Sequence, residues 1–353
     1  YLYSKSHKQL GKFASEGLPN KYKEIIGYTL QDNKIRLFLK DSKGKTFGSI
    51  LFDFDTQSTV ETVYPFKLKN EFYVEGYHYG NTFYLLTIGK NSSLLNFHIF
   101  EEGQAYEKKT MDFSKELFTD ANGVRRNMSY LMGFGNLSAG GVNINKIDIS
   151  SPNSIEIASA PVKLYPTENG FSLTMEQKLA TYHLDIALAT FTYELGIFGQ
   201  PGLAGAALKT NSFVFDGKLF QIATNRDNMG MVATDLASKE TIKKITLSKE
   251  EAIAFKNTPI IQEGGAYSNY REMEKTAKFL RKISQGDVGI SVYRLFDDYV
   301  ITLGSTKEVA TGGGFAPIGF GAIPVAAGGA VTVTFNPPFY ANGGYGSTKA
   351  VRL

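Results

Sequence analysis

The amino-acid sequence predicts an all-β protein in the form of a β-propeller with six blades. Short runs rich in Val, Ile, Phe, Tyr and Thr alternate apolar and polar residues and stop at turn-forming pairs, as half-buried strands do. These turn pairs recur at intervals close to the length of a four-stranded blade. Residues 1–353 then form a single propeller domain with a helical insertion near 248–285 and an uncharged Gly-rich insertion at 309–348.

The clearest hairpin surrounds Asp216-Gly217. Alternating residues precede this pair in Phe213-Val214-Phe215 and follow it from Lys218 to Ile222. Asp-Gly readily adopts the positive φ angles that a two-residue hairpin turn requires. The pattern therefore predicts two antiparallel strands joined by a tight turn.

Similar turn pairs recur along the chain. They are Asp32-Asn33, Gly80-Asn81, Asn122-Gly123, Asn169-Gly170, Asp216-Gly217 and Asp297-Asp298. Their first residues are separated by 48, 42, 47, 47 and 81 positions, and four of these intervals match one blade of about 45 residues. The flanks of the Asn122 turn alternate least well.

The longest interval is explained by a helical insertion. Ser248 and Glu251 have the spacing of a capping box, which marks the start of a helix. A second helix is predicted to begin near Asn269 and to end before Gly286. Its apolar residues at helical spacing are Met273, Ala277, Leu280 and Ile283. Without this insertion the interval fits one more blade, which gives six units.

Apolar content distinguishes the predicted inner strands of each blade from the outer ones. Lys34–Lys40, Thr82–Thr87 and Lys218–Thr224 are the more apolar and are predicted to lie inside a sheet. Thr56–Val63 and Lys239–Leu247 are charged and are predicted to be solvated outer strands. Radial repetition of such sheets leaves only short, protected edges. A pair of long β-sandwiches is the alternative architecture.

Composition excludes several classes of function. The net charge of +4 is spread along the chain without a basic block, which argues against nucleic-acid binding. The chain has no cysteine, so disulfides, thiolate nucleophiles and Cys-ligated metals are excluded. The sequence starts at Tyr1 without an apolar leader, so either a targeting segment has been removed or the sequence is only the ordered part of the protein. We favour an exported, processed protein.

A long uncharged segment dominates the C-terminal region. Val309 to Thr348 covers 40 residues without a charged side chain and contains ten glycines and four prolines. Glycine and proline at this density forbid a transmembrane helix. Burial of four of its aromatic side chains would contribute about 6–12 kcal/mol. Ordering the segment would cost roughly 1 kcal/mol or more per residue, so it needs extensive further contacts.

Two shorter segments share this composition, at 127–145 and at 195–208. Each contains a Phe beside glycine, as does the long segment. Packing of these loops within their own domain is the structural alternative. The aromatic residues predicted to bind a partner are Phe315, Phe320, Phe335, Phe339, Tyr340, Phe134 and Phe198.

No catalytic, metal or cofactor site is predicted. The four histidines lack the i, i+4 spacing of zinc hydrolases, and no nucleophile elbow or phosphate-binding loop is complete. Asp53 and Asp55 share one face of a strand and are interpreted as solvated side chains. Asp120 to Gly123 resembles part of a calcium loop but lacks a bidentate acid at the required distance.

The blade-like units at 211–222 and 287–303 resemble those of exported six-bladed or similar propeller proteins of the Bacteroidota. The resemblance covers most of the chain, but its motifs are typical of a fold and not of one activity. The uncharged C-terminal segment within a polar propeller is similar to what is expected of the plug subunits of the type 9 secretion translocon. That resemblance implies a periplasmic protein at the outer membrane, closing a large barrel from its periplasmic side.

Two functional hypotheses follow. The first is a non-catalytic interaction protein whose uncharged loops dock on or inside an outer-membrane protein complex. It has no nucleic-acid partner and no small-molecule cofactor. The alternative is an extracytoplasmic propeller that binds or cleaves a glycan or peptide through its central channel.

Overall fold

Antiparallel sheets make up most of the chain. The computed structural model describes residues 1–4, 6–15, 17–134, 144–264, 270–310 and 346–352. Strands account for 55% and helices for 7% of the structure, which confirms the all-β fold class. Tertiary contacts divide the chain into two units, unit 1 (Tyr1–Thr119 and Arg125–Val142) and unit 2 (Asp120–Val124 and Asn143–Leu353). The single domain expected from the sequence stays a prediction.

Unit 1 contains two four-stranded meanders. Its described strands are β1 (Leu2–Tyr3), β2 (Gln9–Gly11), β3 (Glu24–Gln31), β4 (Lys34–Lys40), β5 (Phe47–Asp53), β6 (Ser58–Tyr64), β7 (Glu71–Tyr79), β8 (Thr82–Gly89), β9 (Leu94–Glu101), β10 (Gln104–Asp112), β11 (Phe118–Thr119) and β12 (Arg125–Arg126). Strands β3 to β6 form one sheet in chain order, and β7 to β10 form the other. An irregular helical turn, Tyr130–Phe134, follows β12 and is interrupted at Gly133, where φ is 79°.

Unit 2 contains three larger sheets and two short helices. Its described elements are β13 (Ile144–Lys146), α1 (Ile155–Ala158), β14 (Val162–Thr167), β15 (Gly170–Glu176), β16 (Ala180–Ala187), β17 (Thr192–Gly199), β18 (Lys209–Phe215), β19 (Lys218–Thr224), β20 (Asn228–Asp235), β21 (Thr241–Ser248), β22 (Ile260–Gly264), β23 (Arg271–Met273), α2 (Thr276–Ile283), β24 (Asp287–Leu295), β25 (Asp298–Ala310) and β26 (Gly346–Arg352).

The strand order differs among these three sheets. The first runs β13-β14-β15-β16-β17, with β13 parallel to β14 and the other pairs antiparallel. The second is the meander β18 to β21. The third runs β24-β25-β26-β22-β23, so β26 lies between β25 and a strand from much earlier in the chain. Long-range pairing therefore completes this last sheet.

Each of the five large sheets in the described part of the chain contains one hairpin joined by a two-residue turn. The pairs are β3–β4, β7–β8, β14–β15, β18–β19 and β24–β25. The turns predicted at Asp32-Asn33, Gly80-Asn81 and Asp216-Gly217 are confirmed. Asp216 (φ 51°) and Gly217 (φ 67°) both adopt the left-handed conformation that this type of hairpin needs.

Two predicted turns are wrong by one residue. Thr167 pairs with Gly170, so the turn residues are Glu168-Asn169 and not Asn169-Gly170. Leu295 pairs with Asp298, so the last turn is Phe296-Asp297 and not Asp297-Asp298. The register decides these positions, because a slip of one residue would move every core side chain of the strand to the opposite face.

The Asn122-Gly123 turn does not begin a large sheet. Gly123 N donates to Asp120 O at 3.0 Å, which closes the turn, but the turn joins only the two-residue strands β11 and β12. Five of the six expected units therefore contain a sheet of four or five strands in the described part of the chain.

The helical insertion predicted at 248–285 is only partly correct. Ser248 N donates to the Glu251 carboxylate at 2.8 Å, but no helix follows among the described residues before β22. Ser248 ends β21 and pairs with Asn228, so its backbone belongs to a sheet. The second helix begins at Thr276, since Met273 lies in β23, and it buries Leu280 and Ile283 as expected. Ala277 is exposed.

The division into inner and outer strands is confirmed. β4, β8 and β19 lie inside their sheets and are largely buried, with alternating side chains on both covered faces. β6 and β21 are edge strands with mostly exposed side chains. Charges on such edges oppose pairing with another chain.

Glycine permits close packing between the two sheets of unit 1. Strand β3 contacts β7 and β8. A Cβ atom on Gly76 would lie 2.0 Å from the carbonyl oxygen of Ile26, and one on Gly27 would lie 2.4 Å from Cε2 of Phe83. Phe83 stacks on Phe38 with ring centroids 3.8 Å apart, which forms the centre of an aromatic core.

Candidate functional site

The uncharged segment connects two neighbouring strands. Ala310 at the end of β25 pairs with Gly346 at the start of β26, so residues 311–345 leave and return at adjacent points of one sheet. These 35 residues carry no charge. Five predicted partner-binding residues lie outside the described residues, namely Phe315, Phe320, Phe335, Phe339 and Tyr340. Their function stays a prediction.

Phe134 packs within unit 1. Its ring stacks on Phe72 with centroids 4.9 Å apart and an interplanar angle of 7°. The side chain is half-buried, and residues 135–143 of the same uncharged segment lie outside the described residues. Part of this segment thus packs on its own unit, which was the structural alternative for the shorter loops.

Phe198 lies in β17, the edge strand of its sheet. The residue is half-buried, whereas its neighbour Ile197 is 54% exposed. The carbonyl oxygens of Phe198 and Gly199 accept hydrogen bonds from Gln221 Nε2 at 3.3 and 3.2 Å, which fix the end of the strand. Residues 195–199 are therefore ordinary strand, not loop as the composition suggested. Partner binding by Phe198 stays a prediction.

An exposed aromatic residue at the end of the β24–β25 hairpin was not predicted from the sequence. Phe296 occupies the turn between β24 and β25, is 88% exposed and has a φ of 55°. The left-handed region is strained for a bulky residue, and turns of this kind favour Gly, Asn or Asp. The neighbouring Leu295 is 47% exposed. Strain and exposure together make this turn a candidate contact point in unit 2. Correct register assignment would have identified it.

A charged cluster supports the base of this hairpin. The hydroxyl of Tyr299 donates to the Asp216 carboxylate, and Arg294 Nη2 lies 3.0 Å from the same carboxylate. The ammonium of Lys218 and the guanidinium of Arg294 lie 5.5 and 5.2 Å from the Tyr299 ring centroid. The hydrogen bond from Tyr299, with the nearby cations, lowers the pKa of Asp216. These contacts link the turn between β18 and β19 to the base of the hairpin formed by β24 and β25.

Buried ionisable groups form a second cluster in unit 2. Lys163 on β14 is fully buried and donates to Ala160 O at 2.6 Å and to Asn211 Oδ1 at 2.7 Å. Glu176 on β15 accepts from Thr181 Oγ1 at 3.1 Å and from Gln200 Nε2. Burial lowers the pKa of Lys163 to about 8 and raises the pKa of Glu176, while each charge opposes the shift of the other.

Perturbed pKa values of this kind often mark active sites. In this cluster the side chains of Lys163, Glu176 and Asn211 connect β14, β15 and β18. Asn211 Nδ2 also donates to Ser159 O at 2.8 Å. Lys163 has no exposed surface, so a substrate has no access to its amine. The cluster therefore joins neighbouring strands and is a structural network.

Glu71 forms a polar row across the second sheet of unit 1. Its carboxylate accepts from Thr87 Oγ1 at 2.5 Å, contacts His98 Nε2 at 2.9 Å and pairs with Lys108. Thr87 and Glu71 both approach Nε2 of His98. In a catalytic triad the hydroxyl and the carboxylate contact different nitrogens of the histidine ring, so these residues do not form one. Burial by itself raises the pKa of Glu71, but hydrogen bonds from His98, Lys108 and Thr87 together outweigh it and lower this pKa to about 2.

We expect this carboxylate to make unfolding pH-dependent. The folded-state pKa of about 2 lies below the ordinary value of 4.5, so its stabilisation is present above about pH 4.5 and is lost as pH falls towards 2. Glu71→Gln should lower the free energy of unfolding by about 2 kcal/mol at pH 6 and have almost no effect near pH 2. Urea unfolding at both pH values measures this, with Glu61→Gln, in an exposed ion pair, as the control. An equal effect of Glu71→Gln at both pH values would contradict the expectation.

The acidic residues singled out in the sequence cap turns. The interpretation of Asp53 and Asp55 as one solvated strand face is wrong, because Asp53 is buried and Asp55 lies in the turn after β5. Asp53 Oδ1 accepts from the amides of Asp55 and Thr56 at 3.0 and 3.2 Å. Asp120 Oδ1 accepts from the amides of Asn122 and Val124 at 2.8 and 3.1 Å. In the described part of the chain, no three His, Asp or Glu side chains converge as metal ligands would.

Comparisons with known proteins assign no family. No protein-family model matches the chain, and no curated protein matches it by sequence.

Within the described ranges, every helix is too short or too polar to cross a membrane. The candidate functional features are therefore the segment between β25 and β26 and the exposed Phe296 turn.

Proposed function

We propose that this protein is a non-catalytic interaction protein, and that residues 311–345 are its main partner-binding element. The partner is a membrane-protein complex with a large outer-membrane barrel. The protein acts from the periplasmic side, where it plugs a protein-export channel of the type 9 secretion class. We choose this partner because the uncharged C-terminal segment resembles what is expected of the plug subunits of the type 9 secretion translocon.

One observation carries the proposal of a binding segment. Ala310 and Gly346 are direct pairing partners, so a turn of two residues would complete the β25–β26 hairpin. The chain instead inserts 35 residues at this point, with six aromatic side chains and no charge. Because the sheet does not need them for pairing, their apolar surface serves another contact. Connections longer than about 15 residues are uncommon in compact domains and often carry function.

We further propose that the sheets are blades of a propeller, with six as the expected number. A hairpin with a two-residue turn recurs in each large sheet, which supports this architecture. Contacts between edge strands of different sheets, β3 with β7 in unit 1 and β18 with β24 in unit 2, support it too. A rigid body of this kind would present an inserted segment at a fixed position.

Replacement of residues 311–345 by Asn-Gly tests the proposed function. The variant retains Ala310 and Gly346 and supplies a turn suited to a two-residue hairpin. We expect its melting temperature to stay within about 4 °C of the wild type. We expect it to lose capture of the membrane complex in a pull-down from native membranes of the source organism.

A second variant controls for the length of the connection. It carries 35 Gly and Ser residues in place of 311–345 and should also fail to capture the complex. Point variants Phe320→Asp and Phe339→Asp should each weaken capture, since both introduce a charge into an apolar contact. Undiminished capture by the Asn-Gly variant would refute the proposal. Capture by the Gly/Ser variant would show that any connection of this length suffices, which would also refute the proposed binding segment.

A further inference from the structure

Unit 1 contains a polar cleft that is far in sequence from residues 311–345. Its volume is about 780 Å³, which lies within the range of small-molecule sites. The walls come from the turn between β8 and β9, the residues after β10, strand β12 and the first residues of the irregular helical turn. Ligand binding in this cleft would not depend on the proposed partner-binding function.

The cleft walls are held by backbone hydrogen bonds. Ser129 N donates to Ser92 O at 3.0 Å, and Met128 N donates to Ser93 Oγ at 2.9 Å. Phe113 N donates to Ser93 O at 2.9 Å, which fixes the chain that follows β10. Three segments far apart in sequence thus meet at one turn. A site held in this way needs little reorganisation when a ligand binds.

Every residue lining the cleft carries a polar group. Hydroxyls and amides from residues such as Ser92 and Asn127 supply neutral hydrogen-bonding partners. Arg125 and Arg126 are exposed and supply two guanidinium groups, whereas Glu116 supplies one carboxylate. The formal charge of the lining is therefore positive, with an acceptor beside the two cations.

The two guanidinium groups are oriented by their neighbours. Arg125 Nη2 donates to Ser114 O at 3.2 Å, which anchors one end of the group at the cleft wall. The Arg126 guanidinium lies 4.6 Å from the centroid of the Tyr130 ring, which also lines the cleft. A planar guanidinium binds a carboxylate through two parallel hydrogen bonds.

We propose that this cleft binds an acidic saccharide, that is, a sugar bearing one carboxylate among several hydroxyl groups. The arginines pair with the carboxylate, while the serine and asparagine side chains and Glu116 bond to the ring hydroxyls. Inorganic phosphate fits less well, because the Glu116 carboxylate repels a second negative charge.

Calorimetric titration of the full-length protein tests this proposal with three probes. They are a trimer of galacturonic acid, the matching neutral galactose trimer and inorganic phosphate, all at low ionic strength. We expect the acidic trimer to bind about tenfold or more tightly than the neutral trimer and phosphate. Equal binding of the acidic and neutral trimers, or of phosphate and the acidic trimer, would overturn the proposed ligand class.

Variants then locate the binding event. Arg125→Gln and Arg126→Gln should each weaken binding of the acidic trimer about tenfold or more. Arg126→Lys should weaken binding less, because lysine keeps the positive charge but cannot form two parallel hydrogen bonds. Lys43→Gln, at an exposed lysine of the same unit, should bind as the wild type does. Unchanged affinity in both arginine variants, with circular dichroism spectra like the wild type, would overturn the site.

Discussion

Lys163→Met is expected to lower the free energy of unfolding by about 3 kcal/mol or more at pH 7. Removal of this buried cation leaves Glu176 without its compensating charge and leaves Ala160 O without its donor. Breaking a buried charge pair from one side costs about 3–5 kcal/mol. Urea unfolding monitored by circular dichroism measures the loss. The effect should exceed that of any surface substitution in unit 2.

The pH dependence of this variant gives a sharper test. Burial raises the pKa of Glu176, and loss of the attraction to Lys163 raises it further. A carboxyl group whose folded-state pKa is raised stabilises the protein at low pH and loses that contribution as pH rises. The destabilisation caused by Lys163→Met should therefore be larger at pH 8 than at pH 5. The opposite order would contradict the assignment of the buried pair.

Two further variants serve as controls. Lys209 forms an exposed pair with Asp287 at 2.9 Å in the same unit, and Lys209→Met should cost less than about 1 kcal/mol. The double variant Lys163→Met, Glu176→Gln should recover part of the lost stability, because it no longer buries a lone charge. If the double variant is less stable than Lys163→Met, the two residues are not electrostatically linked.

Gly76→Ala is expected to destabilise unit 1 by about 1–3 kcal/mol or more, through a steric clash between its two sheets. The added methyl group would lie 2.0 Å from the carbonyl oxygen of Ile26, which belongs to the backbone of β3. Backbone atoms cannot rotate away as a side chain does, so β3 and β7 must separate. Hydrogen exchange of the β3 and β7 amides, together with urea unfolding, measures the effect.

Gly199→Ala is the matched control for this clash. Gly199 also lies in a strand, and a Cβ atom there would meet nothing within 4 Å. The substitution should be neutral or slightly stabilising, because alanine restricts the unfolded chain more than glycine does. A similar loss of stability in both variants would show that the effect of Gly76→Ala reflects strand glycine in general and not close sheet packing.

Local sequence pattern identified the strands with considerable accuracy. β4, β8 and β19 were predicted as inner strands and β6 and β21 as outer strands, and the structure places them so. Strands covered on both faces are mostly apolar, whereas solvated outer strands carry more polar side chains, and this difference is visible within each short run of residues. This part of the fold is encoded over short distances along the chain.

Two local signals were misleading because strand pairing overrode them. The Ser248 and Glu251 pair has the sequence of a helix start, yet Ser248 is hydrogen-bonded into β21. Asp297-Asp298 has the composition of a turn, yet the register of β24 and β25 puts the turn at Phe296-Asp297. That shift of one residue exposes Phe296, so the prediction of the wrong turn also concealed a candidate contact residue.

The sequence by itself determined the all-β class, most hairpins and the uncharged stretch at 309–348, because each depends on residues close together in the chain. Only the tertiary structure decided that 311–345 emerges from paired neighbours, that Lys163 and Glu176 are buried together, and that Arg125 and Ser92 line one cleft. These features join residues far apart in sequence. Their proximity arises from sheet register and packing, which no local pattern encodes.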